Sequence, residues 1–254
     1  METKIGLQLY SIRTAMEKDF FGSLEKVKAA GYNCVEFAGY GGYTAAVIKK
    51  ELDRIGLEAW SSHVGADQLA NHLDEVVAFS QELGLSWVVC PGYRLETVQD
   101  CQDISDILVI AARKLNPLGI GVGYHNHHRE LAVMDGEVIF SRILKNDAGI
   151  KIHAEVDTCW VQYADVDPVA YIDSLGELAG PLHFKDINHN YKDLRGEEIN
   201  VEVGNGMVDF PAIVAIARKN GILGHGLIVE QEAFTRDMFE SIKISCDNIR
   251  SMLA

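Results

Sequence analysis

Eight short apolar runs, each followed by a stretch with helical spacing, recur along the chain, and no other feature constrains the fold as much. The runs are KIGLQLY (4–10), NCVEFAG (33–39), LEAWSSH (57–63), LSWVVCPG (85–92), GIGVGYHNH (119–127), KIHAEVD (151–157), PLHFKDI (181–187) and GLIVEQE (226–232). Most start about 25 to 35 residues after the one before, the length of a βα unit. Helices are predicted over 19–31, 43–55 and 67–83, within 96–115 and within 136–145. Further helices are expected from Pro168, from Asp209 and Pro211, and over 236–252. Eight βα units in 254 residues predict an α/β protein with a single TIM (β/α)8 barrel spanning 1–254. An open doubly wound sheet would need a Gly-rich phosphate turn after the first strand, and GLQLYS is not one.

In such a barrel the carboxyl ends of all strands face one mouth, so the residues there matter most. Read with a period of two, KIHAEVDT places Ile152, Ala154 and Val156 on one face and Lys151, His153, Glu155 and Asp157 on the other. Taken alone, this stretch also suits an antiparallel strand whose polar face meets water. Three neighbouring runs share the habit, with His125 and His127, His183 and Lys185, and Glu230 and Glu232 each two apart. Burying such groups together without a metal or partners is costly. Asp157, His183 and Glu230, with His125 or His127, form a mixed imidazole and carboxylate set suited to a divalent ion such as Mn²⁺, Co²⁺, Mg²⁺ or Zn²⁺. Taken singly, each group has an ordinary structural explanation: a hydrogen-bonded strand-end His, a lumenal ion pair between Glu155 and Lys185, or a solvated HNHH turn.

Charge narrows the partners. With 23 Lys and Arg against 37 Asp and Glu, the formal charge is −14, so neither nucleic acid nor an anionic membrane is an expected partner. Five scattered cysteines (Cys34, Cys90, Cys101, Cys159 and Cys246) include no Cys-x-x-Cys. They read as reduced thiols, and with no signal-like start and no apolar run near the roughly 20 residues of a membrane span, a cytoplasmic protein is expected. The connection from Asn188 to Val208 is long and rich in charge and Gly, which makes it a candidate lid or an ordered surface excursion.

The motifs GLQLYSIR, GYNCVEFAGYGG, YHNH, EVDTCW, LHFKD, VGNGMVDF and IVEQE together resemble the xylose isomerase-like TIM barrel superfamily, in particular its sugar phosphate isomerase/epimerase group. Relatives include inosose dehydratases, ketose 3-epimerases and endonuclease IV. The resemblance implies that Asp157, His183 and Glu230 are metal ligands. It places His125 where epimerases of the family offer a Glu, and Trp160 where ketose epimerases place a His. The implied activity is a metal-dependent sugar or keto-sugar isomerisation or epimerisation by proton abstraction next to a carbonyl, with a small carbohydrate as substrate. A lyase on the same scaffold, dehydrating an inosose-like cyclitol or cleaving a 3-keto-glycoside, shares that first step. A third alternative is a non-catalytic sugar-binding barrel or a subunit of a hetero-complex; a homo-oligomer is equally compatible. His127, Glu155 and Lys185 are the candidate proton carriers, and burial near a metal is expected to lower the Lys185 ammonium. His63 and Glu36 are candidates for binding sugar hydroxyls or for supporting the ligands, and Trp160 for walling the pocket. No Lys or Arg cluster marks a phosphate site, and Arg13, Arg94 and Arg195 are the loop-placed candidates if one exists.

Overall fold

The computed structural model describes residues 3–254. Eight parallel strands close into a barrel in sequential order. They are β1 (Ile5–Gln8), β2 (Cys34–Phe37), β3 (Glu58–His63), β4 (Trp87–Cys90), β5 (Gly121–His125), β6 (His153–Asp157), β7 (Ala179–Phe184) and β8 (Leu227–Val229). Around them lie α1 (Phe20–Ala29), α2 (Ala45–Ile55), α3 (Leu73–Leu83), α4 (Val98–Leu115), α5 (Ile139–Leu144), α6 (Pro168–Leu175), α7 (Phe210–Lys219) and α8 (Met238–Leu253). All eight predicted strands and their following helices are present. Outward-facing strand residues such as Leu7, Val35, Val88, Val122, Ala154 and Leu182 pack wholly buried against the helices, which is the apolar layer that holds a barrel together.

Local chemistry explains where the helices begin. Asp19 accepts from Gly22 N, Thr97 and Asp100 form a reciprocal capping box, and Asp209 accepts from Ala212 N just before Pro211. Two details depart from the sequence expectation. The helix predicted over 67–83 is broken at His72 (φ −131°, ψ 28°) into Ala66–Asn71 and α3. An extra helix, Thr158–Tyr163, starts directly at the end of β6, because Asp157 Oδ1 accepts from Trp160 N at 3.1 Å and caps it.

The barrel floor is made of large rings set against glycines. Trp87 packs edge-on to His153 and His225 at centroid distances of 4.8 and 5.1 Å. A Cβ on Gly121 would lie 2.3 Å from the Trp87 ring, and one on Gly226 2.6 Å from Trp60 Nε1, so the rings fit only because these strands carry no side chain there.

The long connection after β7 is clasped to the barrel. Asp186 is buried; its Oδ2 accepts from Gly204 N (2.9 Å) and Gly206 N (2.8 Å), and its Oδ1 from Val208 N (3.2 Å) and Ile187 N (2.9 Å). Residues 186–187 also pair antiparallel with 200–201. The VGNG turn is therefore fixed in place and is not a free lid; exposed residues of the connection include His189, Asn190, Lys192, Asp193 and Arg195. All five cysteines are buried free thiols. Among the described residues no helix is long and apolar enough to cross a membrane.

Candidate metal centre

Strand register brings the candidate ligands together. Asp157 on β6 pairs with His183 on β7, and His125 on β5 with Glu155 on β6. Glu230 directly follows β8. His125, Asp157, His183 and Glu230 each offer a ligand atom, and these atoms all lie within 4.8 Å of one another. All four residues are buried. A second group, His63, His125, Glu155 and His183, meets the same criterion and shares both imidazoles with the first.

The two groups lie on opposite sides of those imidazoles. His125 turns Nδ1 to Glu155 Oε2 at 3.1 Å and Nε2 towards Asp157 Oδ2 at 3.8 Å. His183 turns Nε2 to Glu36 Oε1 at 2.7 Å and Nδ1 to Glu230 Oε2 at 2.7 Å. His63 Nε2 closes the far side, 3.1 Å from Glu36 Oε1 and 2.7 Å from Glu155 Oε2, while Gln8 Nε2 donates to Glu36 at 2.6 Å.

Asp157 Oδ2 is buried without a hydrogen-bond partner. An ionised carboxylate only accepts, so the His125 nitrogen facing Glu155 carries the hydrogen and the one facing Asp157 is bare. Two acceptors thus face each other 3.8 Å apart, a gap that fits a cation about 2.0–2.2 Å from each. The donor set, two imidazole nitrogens and two carboxylates, suits a divalent first-row ion. These residues fit such an ion.

Electrostatics agree. Burial, reinforced by Glu230 and opposed by Lys185, pushes the Asp157 carboxyl up to about 7, so Lys185 does not fully offset the cost of burying this carboxylate. Burial depresses His125 to about 3, keeping it neutral. Burial would also depress His63, but Glu36 and Glu155 carry it up to about 10. Lys185 departs from the sequence expectation. Burial would lower it, yet Glu230, Asp157 and Glu232 hold it well above the ordinary lysine range. Its Nζ ion-pairs with Glu232, lies 3.5 Å from Glu230 Oε1 and 3.8 Å from Asp157 Oδ2, and sits 5.3 Å from the Trp160 ring centre. Among the described residues no ion pair joins Lys185 to Glu155; Glu155 is taken up by the imidazoles.

Above the ligands opens a cavity of about 420 Å³ lined by Tyr10, Ala38, His63, Pro91, His125, His127, Glu230 and Glu232. A somewhat larger hollow, about 500 Å³, lies outside the barrel wall between α4 and residues 137–148. It faces none of the converging strand ends, so the mouth cavity is the candidate site.

Of the residues expected to act at the mouth, His127 and His63 line this cavity. Burial holds His127 down at about 4, so it is a neutral imidazole at neutral pH. Trp160 packs against His127 and Lys185, at the side of the site. Two expectations need correction. Glu155 and Glu36 are wholly buried and bonded to imidazoles below the candidate ligands, so neither is placed to take a proton from a substrate or to bind a sugar hydroxyl. The other expectation for Glu36, support of a candidate ligand, agrees with its contact to His183. Arg94 is paired with Asp100 at 2.8 Å on the cap of α4, and Arg13 lies over the Tyr10 ring at 4.3 Å. Arg195 is exposed in the long connection. Sequence reasoning gave no role to Glu232, Gln8 or Asn126, whose Oδ1 accepts from Asp157 N at 3.1 Å. For Glu232 a signal existed, its i+2 spacing from Glu230.

Fold and site together define a TIM barrel with a candidate divalent-metal centre at the carboxyl ends of β5 to β8. The chain belongs to the xylose isomerase-like TIM barrel family, whose model matches residues 24–252. Two solved structures from Parabacteroides distasonis, each described as a sugar phosphate isomerase/epimerase, are similar over nearly the whole chain. One is 27% identical with a TM-score of 0.85, covering 99% of this chain and 94% of that one. The other is 26% identical with a TM-score of 0.82, covering 98% of both. The IolI protein, solved with a bound zinc atom, shares the fold at 12% identity, with a TM-score of 0.72 over 98% of both chains. No curated protein matches the sequence significantly.

Proposed function

We propose that the chain is a divalent-metal-dependent isomerase or epimerase of a sugar or keto-sugar, working by proton transfer next to a carbonyl. One observation carries the proposal. Ligand-type side chains following or ending four consecutive strands converge within 4.8 Å beside the mouth cavity, and Asp157 Oδ2 among them is buried and unpartnered. The family and the two Parabacteroides relatives support it. His125, Asp157, His183 and Glu230 would hold the ion. When bound, the ion supplies positive charge that grips neighbouring carbonyl and hydroxyl oxygens and offsets the charge left as a proton departs. His127, neutral and facing the cavity, takes up the carbon-bound proton. Lys185, kept charged by its carboxylates, holds or protonates the substrate oxygen. His63 and Trp160 bound the carbohydrate, and the packed Trp160 ring keeps water from the ammonium.

The test is proton exchange in D₂O. Protein loaded with Mn²⁺, Co²⁺, Mg²⁺ or Zn²⁺ is incubated with a panel of ketoses and keto-sugars, and deuterium entering at the carbon next to the carbonyl is followed by NMR. Exchange that a chelator abolishes is the expected result. Exchange unaffected by removing the ion, or a protein that takes up no ion, overturns the proposal. Loss of water or of an aglycone in the same spectra would identify a lyase instead.

A further inference from the structure

We infer that Glu36 and Glu155, tied together by His63, are positioning residues that fix the ring orientation and hydrogen placement of both imidazole ligands, so that His125 Nε2 and His183 Nδ1 face the ion. The inference rests on the metal-centre proposal and extends it to residues that never touch substrate.

The two candidate groups cannot both hold an ion through the same imidazoles, because a neutral ring has one bare nitrogen. Geometry decides which side is which. On the inner side each of the three imidazoles makes a hydrogen bond to Glu155 or Glu36. Glu155 Oε2 lies 2.7 Å from His63 Nε2, 3.1 Å from His125 Nδ1 and 3.2 Å from His183 Nε2, while Glu36 Oε1 lies 2.7 Å from His183 Nε2 and 3.1 Å from His63 Nε2. On the outer side, Asp157 Oδ2 faces His125 Nε2 at 3.8 Å and makes no hydrogen bond; Glu36 Oε2 and Glu155 Oε1 are also unpartnered, but the other oxygen of each already bonds an imidazole. The outer group borders the cavity through a carboxylate, Glu230, whereas the inner group reaches it only through the imidazoles of His63 and His125. For His125 the inner carboxylate therefore takes the N–H and Nε2 keeps its lone pair. His183 has a carboxylate 2.7 Å from each nitrogen, Glu36 behind and Glu230 in front, and the ion would replace the hydrogen between Nδ1 and Glu230. A carboxylate behind a metal-bound imidazole fixes its tautomer and raises its affinity for the ion. Here one shared His63 joins the two supporting carboxylates, and Gln8 anchors the Glu36 end at 2.6 Å.

Co²⁺ titration followed by its visible absorption tests this, on the full chain with folding checked by circular dichroism. Wild type should bind one ion per chain, and Asp157→Asn and Glu230→Gln should lose most of that binding. Glu36→Leu and Glu155→Leu should keep the stoichiometry but bind roughly 10- to 100-fold more weakly. Glu36→Gln and Glu155→Gln, which keep an acceptor, should recover part of the loss. Should the Leu variants fold poorly, Gln8→Met, which only frees the Glu36 end, should weaken binding in the same direction. The inference is overturned if inner and wild-type affinities agree, or if Glu155→Leu abolishes binding while Asp157→Asn retains it, which would put the ion on the inner side. A wild type that takes up no ion removes the metal-centre proposal and the inference together, so the two failures are distinct.

Discussion

Lys185 Nζ lies 3.5 Å from Glu230 Oε1, although only 1% of the lysine side chain is exposed. A cation this deep stays charged because Glu230, Asp157 and Glu232 surround it. Removing one partner of a buried ion pair costs about 3–5 kcal/mol, because it strands the charges that remain. Lys185→Met should therefore destabilise the ion-free protein by about that amount in urea unfolding. Added Mn²⁺ should restore part of the loss, since it replaces the missing positive charge. Equal destabilisation with and without Mn²⁺ would mean that the ion does not bind beside Lys185.

His127→Gln should leave Mn²⁺ stoichiometry unchanged and lower the rate of carbon-bound proton exchange by about 10²- to 10⁴-fold, the range expected for a lost general base. The check is kcat measured beside metal content on one preparation. A variant with wild-type kcat would point to Glu232, the other proton acceptor on the cavity wall without a ligand role.

Removing the ion should lower thermal stability. A ligand that binds only the folded chain at about 100 times its Kd stabilises it by about 2.7 kcal/mol. Melting curves with and without chelator should differ for wild type and coincide for Asp157→Asn.

Asp186→Ala should loosen the connection after β7. It strips the acceptor from four backbone N–H groups, at Ile187, Gly204, Gly206 and Val208, and unsatisfied buried groups cost about 1–3 kcal/mol each at most. Limited proteolysis should cut the variant first within 188–208, where wild type resists. Unchanged cleavage would show that the 186–187 and 200–201 ribbon suffices alone.

Gly121→Ala should destabilise the barrel by about 1–3 kcal/mol, the usual range for overpacking. The new methyl would sit 2.3 Å from the Trp87 ring. Urea unfolding of Gly121→Ala against Gly121→Ala with Trp87→Leu should show the second change relieving the first.

The barrel was legible because its period is written in the apolar runs, and the convergence of His125, Asp157, His183 and Glu230 because strand ends meet at one mouth. Depth was not legible. His153, Glu155 and Asp157 alternate identically along β6, yet His153 lies on the floor beside Trp87, Glu155 at Nδ1 of His125 and Asp157 on its Nε2 side. A period of two specifies a face, whereas successive residues on that face climb about 6–7 Å up the lumen and enter different layers. That is why Glu155 reads as a mouth residue in sequence. Gln8 escaped notice for a similar reason, since a lone amide inside an apolar run gives no sign of the carboxylate it will meet from the next strand.

Among the described residues Trp87, flanked by His153 and His225, packs at the amino end of the lumen, and the cavity beside His127 and Glu232 opens at the other end. Under the proposed function, arrival and departure share that end, and a product slow to leave would hold back the next turnover and compete head-on with incoming substrate.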